Sequence, residues 1–386
     1  MRKKFLVFGS PRIEKDEIAQ VVDSLKSGWI SSGPKVIQFK EDFKKYMNVP
    51  YAVPLHSCTA ALFLSLAVTK VSQNDEVILS PMTYAATANV VVHRGAKPVF
   101  VDCDRTTMNI DPAQIEKKIT KKTKAIMPVH MLGRPCEMEA ISKIAKKHNL
   151  FVLQDAAHAL EARYHGKKIG ELGDLTSFSF YVTKNLATGE GGMVVTSNRR
   201  WSEMIEVLGS QGMTRGAWQR YSDKGFKQYR IVVPGFKFNM MDLQAGIGIC
   251  QLKKIEKYLA IREKIWKTYD AAFKNLPLQI PAPAEQETRH ARHLYTILLD
   301  LKALKINRDQ FQQELFKLKI GTGIHFISLH LHPYYRRTFK FKENDFPNAA
   351  YLSARTLSLP LSAKLTESDV DDVIWAVKKV IKQYKR

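Results

Sequence analysis

The chain lacks most of the features that would place it outside a cell or within a membrane. Its four cysteines (Cys58, Cys103, Cys136 and Cys250) are scattered, with no Cys-x-x-Cys pair. Neither a disulfide framework nor a redox motif is therefore expected, and a cytoplasmic location is. No apolar run is long enough to span a bilayer, since Phe5-Leu6-Val7-Phe8 gives way to Glu14 within a few residues. The eleven histidines follow no metal pattern. His325, His330 and His332 alternate loosely, without His-Glu-x-x-His or a Cys/His cluster, so no metal is expected. A Gly-x-Ser-x-Gly nucleophile elbow is missing too. Acidic residues are scarce, 37 against 60 basic, which leaves a formal net charge of +23. Such a surface attracts polyanions, but its lysines and arginines are spread along the chain. The densest groups, Lys117-Lys118 with Lys121-Lys122 and Lys378-Lys379, read as polar faces and ends of helices. A basic solvated surface is expected, and a nucleic-acid partner is not.

What is present is a strand–helix alternation. At 386 residues the chain has room for two domains, or for one large α/β domain with a smaller appendage. Tyr51–Ser57, Glu76–Ser80, Pro98–Asp102, Ala125–His130 and Phe151–Gln154 read as strands. Between the last two, Glu137–His148 reads as a helix with Met138, Ile141, Ile144 and Ala145 at helical spacing. This alternation predicts crossover connections and a mainly parallel sheet sandwiched by helices. Leu175–Tyr181 and Met193–Thr196 follow without a full helix between them. Residues 199–230 are polar and aromatic with little periodicity, and include Gln211–Arg215 and Trp218–Tyr221. They read as a functional or interface loop. A long helix from about Met241 to Phe273 is expected to join the domains, and Pro277, Pro281 and Pro283 break the chain beyond it. An amphipathic helix capped near Thr366 closes the sequence, with Val370, Val373, Ile374, Val377 and Ile381 on one face. The expected division is residues 1–250 as a large domain and 251–386 as a linker helix with a smaller C-terminal α/β domain.

Chemistry concentrates at two places. Lys184 follows the apolar, aromatic run Ser177–Val182, and Asp155 ends an earlier apolar run in Asp155-Ala156-Ala157-His158. A lysine on the turn after a strand suits a Schiff-base enzyme, and a carboxylate at a strand end suits the ring nitrogen of a pyridine cofactor. Together they point to pyridoxal 5′-phosphate (PLP), with both residues at carboxyl ends of strands, where ligands of α/β sheets gather. Singly, each has a plainer reading: a helix cap for Asp155 and a surface turn for Lys184. Ser57-Cys58-Thr59-Ala60-Ala61 stands between a strand and an Ala/Leu-rich helix. Free backbone N–H groups there favour a phosphate, although a simple N-cap is the commoner use of such residues. Gly189-Glu190-Gly191-Gly192 is not a phosphate loop, because no Gly-Lys-Ser/Thr follows and no helix opens there. It reads as a backbone reversal beside the cofactor. His158 could face the cofactor or pack in the core.

These residues resemble the DegT/DnrJ-type (StrS-type) sugar aminotransferases over nearly the whole chain. The matching stretches run in family order from Asp16-Glu17-Ile18 and Ser27-Gly28-Trp29-Ile30-Ser31-Ser32-Gly33-Pro34 to the lysine turn. Between them lie Ser57–Leu62, Thr83-Tyr84-Ala85-Ala86-Thr87-Ala88-Asn89, Gly95–Asp102 and Asp155–Ala159. Beyond Lys184-Asn185 and Gly189–Gly192 come Phe238–Ala245 and His325 with His330. The resemblance implies fold type I of the PLP-dependent transferases, with Lys184 as the Schiff-base lysine and Asp155 as the ring-nitrogen partner. Tyr84 would stack on the ring and His158 would approach its oxygen edge. Ser179, Cys58 and Thr59 would hold the phosphate, joined by Asn239 from a neighbouring subunit, so that a homodimer shares its active sites. Cys58 stands where many relatives carry glycine. Phe8, Trp29, Ser31, Ser57 and His325 match sugar-pocket positions, the N-terminal segment 1–35 contributing. The activity implied is transfer of an amino group from L-glutamate to a nucleotide-linked keto-sugar, most simply a 4-keto-6-deoxy hexose. The product would be an amino sugar for surface polysaccharide, lipopolysaccharide or another glycan. Some relatives carry histidine in place of the lysine and dehydrate instead; Lys184 argues for transamination. Two other readings remain, a PLP-dependent dehydratase or lyase on the same scaffold and a non-catalytic polyanion-binding module.

Overall fold

A computed structural model describes residues 2–214 and 229–386. Near the start of the chain, α1 (Lys15–Ser27) and α2 (Pro34–Met47) lead into the first strand. The runs of β-branched and aromatic residues then form β1 (Tyr51–Leu55), β2 (Glu76–Leu79), β3 (Lys97–Phe100), β4 (Thr123–Ile126) and β5 (Phe151–Asp155). A short hairpin of β6 (Arg163–Tyr164) and β7 (Lys167–Lys168) precedes β8 (Leu175–Ser179) and β9 (Gly192–Thr196). Among the described residues, seven strands build one sheet in the order β1-β9-β8-β5-β4-β2-β3.

Connection length explains strand direction. Helices α3 (Cys58–Val68), α4 (Ala85–His93) and α5 (Met138–His148) cross between strands, and β2–β3, β2–β4, β4–β5 and β5–β8 all pair parallel. The chain from β8 to β9 reverses without a helix, so β9 runs antiparallel to β8 and to β1. The mainly parallel sheet is as the alternation predicts. Leu62, Leu64, Leu66 and Val68 of α3 are all buried, which explains why that helix reads as apolar all round.

One expectation is overturned. Residues 199–209 are not loop: α6 (Arg199–Gly209) starts at Asn198, whose side chain accepts the Trp201 N–H at 3.2 Å. Trp201 packs edge-on against Phe151 at 5.6 Å, and Ile205 is fully buried. Tertiary burial holds a helix whose polar start hides its apolar stripe. Residues 210–214 then pair with the stretch around 231–237 through Ser210–Lys237 and Met213–Ile231 bridges. Arg215 and Trp218–Tyr221 lie outside the described residues.

The long helix is present as α7 (Asp242–Phe273). Its first half packs on α1 and α2. A Cβ on Gly248 would lie 2.8–3.0 Å from the Phe39 ring, so glycine there lets α2 approach closely. Its second half places Trp266, Tyr269 and Phe273 in a second core. That core holds β10 (Leu278–Gln279), β11 (Tyr295–Leu299), α8 (Arg308–Lys317), β12 (Thr356–Leu359) and α11 (Glu367–Tyr384). Between α8 and β12, α9 (Pro333–Phe339) and α10 (Pro347–Ser353) return Tyr335, Ala349 and Leu352 to the core of the large sheet. The Thr366 hydroxyl caps α11 by accepting the Asp369 N–H at 3.2 Å, and Val370, Val373, Val377 and Ile381 are buried as the spacing predicts.

After β5, Glu161 pairs with Arg262 of α7, and their side chains are 0% and 3% exposed. Glu161→Ala would strand a buried guanidinium, and a loss of about 3–5 kcal/mol is expected in a denaturant titration. A loss below about 1 kcal/mol, the scale of an exposed pair, would mean the pair is effectively solvated.

Candidate active site

The parallel strands deliver their carboxyl ends to one edge, and the chemistry gathers there. Asp155 ends β5 and is buried. Its Oδ2 accepts the Thr87 hydroxyl at 2.8 Å and its Oδ1 the Ala157 N–H at 3.1 Å. Burial pushes its carboxyl upward, and these two donors with the Lys184 charge pull it back. Lys184 sits on the β8–β9 reversal, where its N–H donates to the Tyr181 carbonyl at 2.8 Å. The residue keeps partial solvent access, yet its ammonium is closely surrounded. Burial brings the amine down to about 8 against the opposing pull of Cys58 and Asp155.

A helix N-terminus faces the same space. Ser57 caps α3, its side chain accepting the Ala60 N–H at 3.2 Å. The Cys58 and Thr59 N–H groups therefore head the helix without intrahelical acceptors, a ready anion site. Gly192 of β9 is pressed against this turn: a Cβ there would lie 2.4 Å from the Ser57 carbonyl and 2.6 Å from the Cys58 nitrogen. Ser179 pairs with Gly192 across β8–β9, which brings its hydroxyl beside the same turn. Its Oγ also accepts the Tyr181 N–H at 3.4 Å. Burial and the Asp155 charge push the Cys58 thiol well up, so the thiol form prevails.

Aromatic rings close the site. Tyr84 stands at the cap position of α4 and is 64% exposed, so its side chain has a face left to be covered. Phe326 lies 5.9 Å from Tyr84 and 6.1 Å from His158. Nδ1 of His158 accepts the Leu132 N–H at 3.3 Å, so in the neutral ring Nε2 carries the proton. Burial and the nearby Lys184 hold His158 and His293 well below the usual histidine range and His325 at about 3. Phe8 stacks on His325 at 5.4 Å, and His325 Nδ1 meets the Ser358 hydroxyl at 2.8 Å. The N-terminal segment at Gly9–Arg12 and the turn at Val182–Asn185 share the wall of a small cleft.

Lys184, Asp155, Cys58, His158 and His325 thus lie within electrostatic reach of one another, with Ser57, Thr59, Ser179 and Tyr84 around them. Trp29, Ser31 and Asn239 gather at the start of α7. Ser31 accepts the Asp242 N–H at 2.9 Å, Trp29 presses on Gly33, and Asn239 donates to the Ser32 hydroxyl at 2.6 Å. Asn239 bridges Leu55 of β1, just ahead of the Ser57 turn, and its Oδ1 is buried without a partner in the chain. Sequence reasoning missed Thr87, His293 and Phe326, although Thr87 lies in a quoted motif one helical turn after Thr83. Among the described residues no three His, Cys, Asp or Glu side chains could hold a metal ion, and no helix is long and apolar enough to cross a membrane.

The site offers an amine for an aldehyde, a carboxylate for a ring nitrogen, a phosphate-sized helix N-terminus and an exposed aromatic face. The residues fit PLP. Residues 11–378 match the DegT/DnrJ/EryC1/StrS aminotransferase family. The chain belongs to this family. With it come fold type I and dependence on PLP. The chain is 47% identical to the spore coat polysaccharide biosynthesis protein SpsC of Bacillus subtilis, over 99% of this chain and 98% of SpsC. Among solved structures, Spr1654 of Streptococcus pneumoniae, described as a sugar aminotransferase and known in PLP and PMP forms, is 33% identical. It superposes with TM-scores of 0.90 and 0.91 in those forms, over 98% of this chain and 98–99% of Spr1654. Helicobacter pylori PseC, an aminotransferase of pseudoaminic acid biosynthesis, is 29% identical with a TM-score of 0.90, over 99% of this chain and all of PseC (100%).

Two outcomes follow for this family member. Because the neutral amine attacks an aldehyde, PLP capture by the apo-protein should rise with pH and level off above about 8. A plateau reached only near 10, the range of a free lysine, would show that burial does not lower the amine. Gly192→Ala should weaken PLP binding by about ten- to a hundredfold, the cost of overpacking against backbone, measured by absorbance titration. Unchanged affinity would separate β9 from the phosphate turn.

Proposed function

We propose that this aminotransferase moves an amino group from L-glutamate to a nucleotide-linked keto-sugar, with a 4-keto-6-deoxy hexose the simplest acceptor. The observation that carries the reading is the pairing of Lys184 with Asp155 in one buried site beside a free helix N-terminus. The roles of SpsC, Spr1654 and PseC support sugar chemistry and an amino-sugar product for a surface polysaccharide or related glycan. PLP, when bound, supplies the aldehyde for the amine and a protonated ring that accepts electrons.

The chain's own residues would do the rest. Asp155 would keep the ring nitrogen protonated, while Cys58 and Thr59 N–H groups, with Ser179 and Asn239, would bind the phosphate. Tyr84 would cover one ring face, and the Nε2–H of His158 would donate to the ring's oxygen edge. Once released, the Lys184 amine would take the proton from the donor carbon that bears nitrogen and deliver it to the cofactor's C4′ carbon, and in the second half of the cycle it would move a proton the other way, from C4′ to the acceptor carbon. A lowered pKa suits it to both tasks near neutral pH. Phe8 and His325, with Trp29, Ser31 and Ser57, are proposed for the sugar, and segment 1–35 would carry part of that pocket. A homodimer in which two copies complete each site is proposed with them, as the family resemblance implies for Asn239. Residues 1–250 would form the cofactor-binding unit and residues 251–386 the linker helix and smaller unit. Four free cysteines support a cytoplasmic setting.

Lys184→Ala should abolish 2-oxoglutarate release from glutamate while leaving the circular dichroism unchanged, and borohydride should fix the cofactor on Lys184 in the wild type. Full turnover in Lys184→Ala would overturn the mechanism. Consumption of the sugar without 2-oxoglutarate would instead mark a dehydratase or lyase.

A further inference from the structure

We propose that Thr87 is a positioning residue that keeps Asp155 ionised toward the cofactor's ring nitrogen. The inference rests on the reading of Asp155 as the nitrogen's partner and adds the group that makes the reading work. Asp155 lies where water cannot stabilise its charge, so each oxygen depends on donors from the protein. Ala157 supplies a backbone N–H to Oδ1, which any substitution there except proline would leave in place. Oδ2 depends on the Thr87 hydroxyl, 2.8 Å away and wholly buried.

The direction of that hydrogen bond is set by chemistry. An ionised carboxylate only accepts, so Thr87 must donate its single hydroxyl proton to Oδ2. The Thr83 hydroxyl, 2.9 Å from that of Thr87 and also buried, must then donate to Thr87. Two threonines, one helical turn apart, form a one-way chain that ends on the carboxylate. Were Asp155 protonated, the chain would have to run backward, and among the described residues the Thr83 proton would then have no acceptor. The arrangement therefore favours one charge state as well as one rotamer. The titratable groups facing Asp155 are Lys184 from the β8–β9 turn, Cys58 from α3 and Cys136 from the segment before α5. Both thiols are pushed upward and stay neutral, so Lys184 is the only one of the three to bring charge, and its amine is taken up once it holds the aldehyde. From then on the hydroxyl donor matters most. The same turn begins at Tyr84, whose carbonyl accepts the Thr87 N–H at 3.2 Å. One turn of backbone thus places the proposed ring cover and the carboxylate's donor.

With the donor present, the proton shared between ring nitrogen and carboxylate rests on nitrogen. Without it, the proton shifts toward the carboxylate oxygen, both partners become neutral, and the ring accepts electrons less well. The test uses holoenzyme reconstituted with PLP labelled with nitrogen-15 in the ring. Wild type and Thr87→Ser should give the shift of a protonated nitrogen. Thr87→Val, which keeps the shape and removes the hydroxyl, should move the shift toward the unprotonated value and slow the glutamate half-reaction by about ten- to a hundredfold. If Thr87→Val does not fold, Thr83→Val, which leaves Thr87 in place without its own donor, should give a smaller shift in the same direction. A wild-type nitrogen signal in Thr87→Val, or in Thr83→Val where that variant is used, overturns the proposal. An unprotonated nitrogen in the wild type itself overturns the reading of Asp155 beneath it.

Discussion

A positive amine held out of water opposite a negative carboxylate is the constraint on which this site depends. Charge in such a setting is costly, so the surroundings must decide where it is allowed. Lys184 can be charged because Asp155 and the polar turn around it compensate. The three nearby imidazoles cannot be charged as well, and His158, His293 and His325 are accordingly held neutral. Neutral rings have definite tautomers, and their hydrogen bonds say which. The Asn185 amide nitrogen donates to Glu161 at 2.8 Å and to the Ala291 carbonyl at 2.9 Å, which leaves its oxygen for His293 Nδ1 at 2.9 Å. His293 must then carry its proton on Nδ1, and its ring packs 4.5 Å from that of His158. Since Glu161 is fixed by Arg262, a line of contacts runs from the middle of α7 to the residue beside Lys184. The buried ion pair is thereby tied to the geometry of the lysine turn.

The sheet topology sets the phosphate turn in the same indirect way. β9 is the one strand of the large sheet, among the described residues, that opposes both neighbours, and it can insert between β1 and β8 because the lysine reversal needs no crossover helix. Insertion brings Gly192 against the backbone at Ser57 and Cys58, where only a hydrogen fits. The reversal that carries Lys184 thus also seals the side of the anion site. Lysine, phosphate turn and Ser179 are positioned by one antiparallel pairing.

Legibility in the sequence followed locality. The strands of the large sheet, the lysine turn, the Ser57 turn and the Thr366 cap are written in patterns a few residues long, and they form as expected. Thr87 binds a carboxylate 68 residues away, Glu161 an arginine 101 residues away, and Asn185 a histidine 108 residues away. Nothing near Glu161 or His293 marks them as partners of the active site. The α6 helix was hidden for a related reason. Its first turn, Arg199-Arg200-Trp201, is polar except for one aromatic, and that aromatic finds its partner on β5. The residues proposed to contact the cofactor are legible from motifs, and those that hold them in place are not.

The N-terminal segment makes the same point from the substrate side. Leu6 bridges Ile320, and the Leu6 N–H donates to the Lys319 carbonyl at 2.9 Å, so the start of the chain lies along the edge of the second core. Gly321 permits this, since a Cβ there would approach the Leu6 carbonyl oxygen to 2.7 Å. Only after that docking can Phe8 stack on His325 and Gly9 sit against Thr183, beside Lys184. Phe8 and His325, the two halves of one proposed pocket wall, thus come from opposite ends of the sequence. Their meeting requires the smaller sheet to be in place. The wall therefore cannot form from the cofactor-binding sheet alone, and recognition of the acceptor, as proposed, would be coupled to the fold of the C-terminal third of the chain.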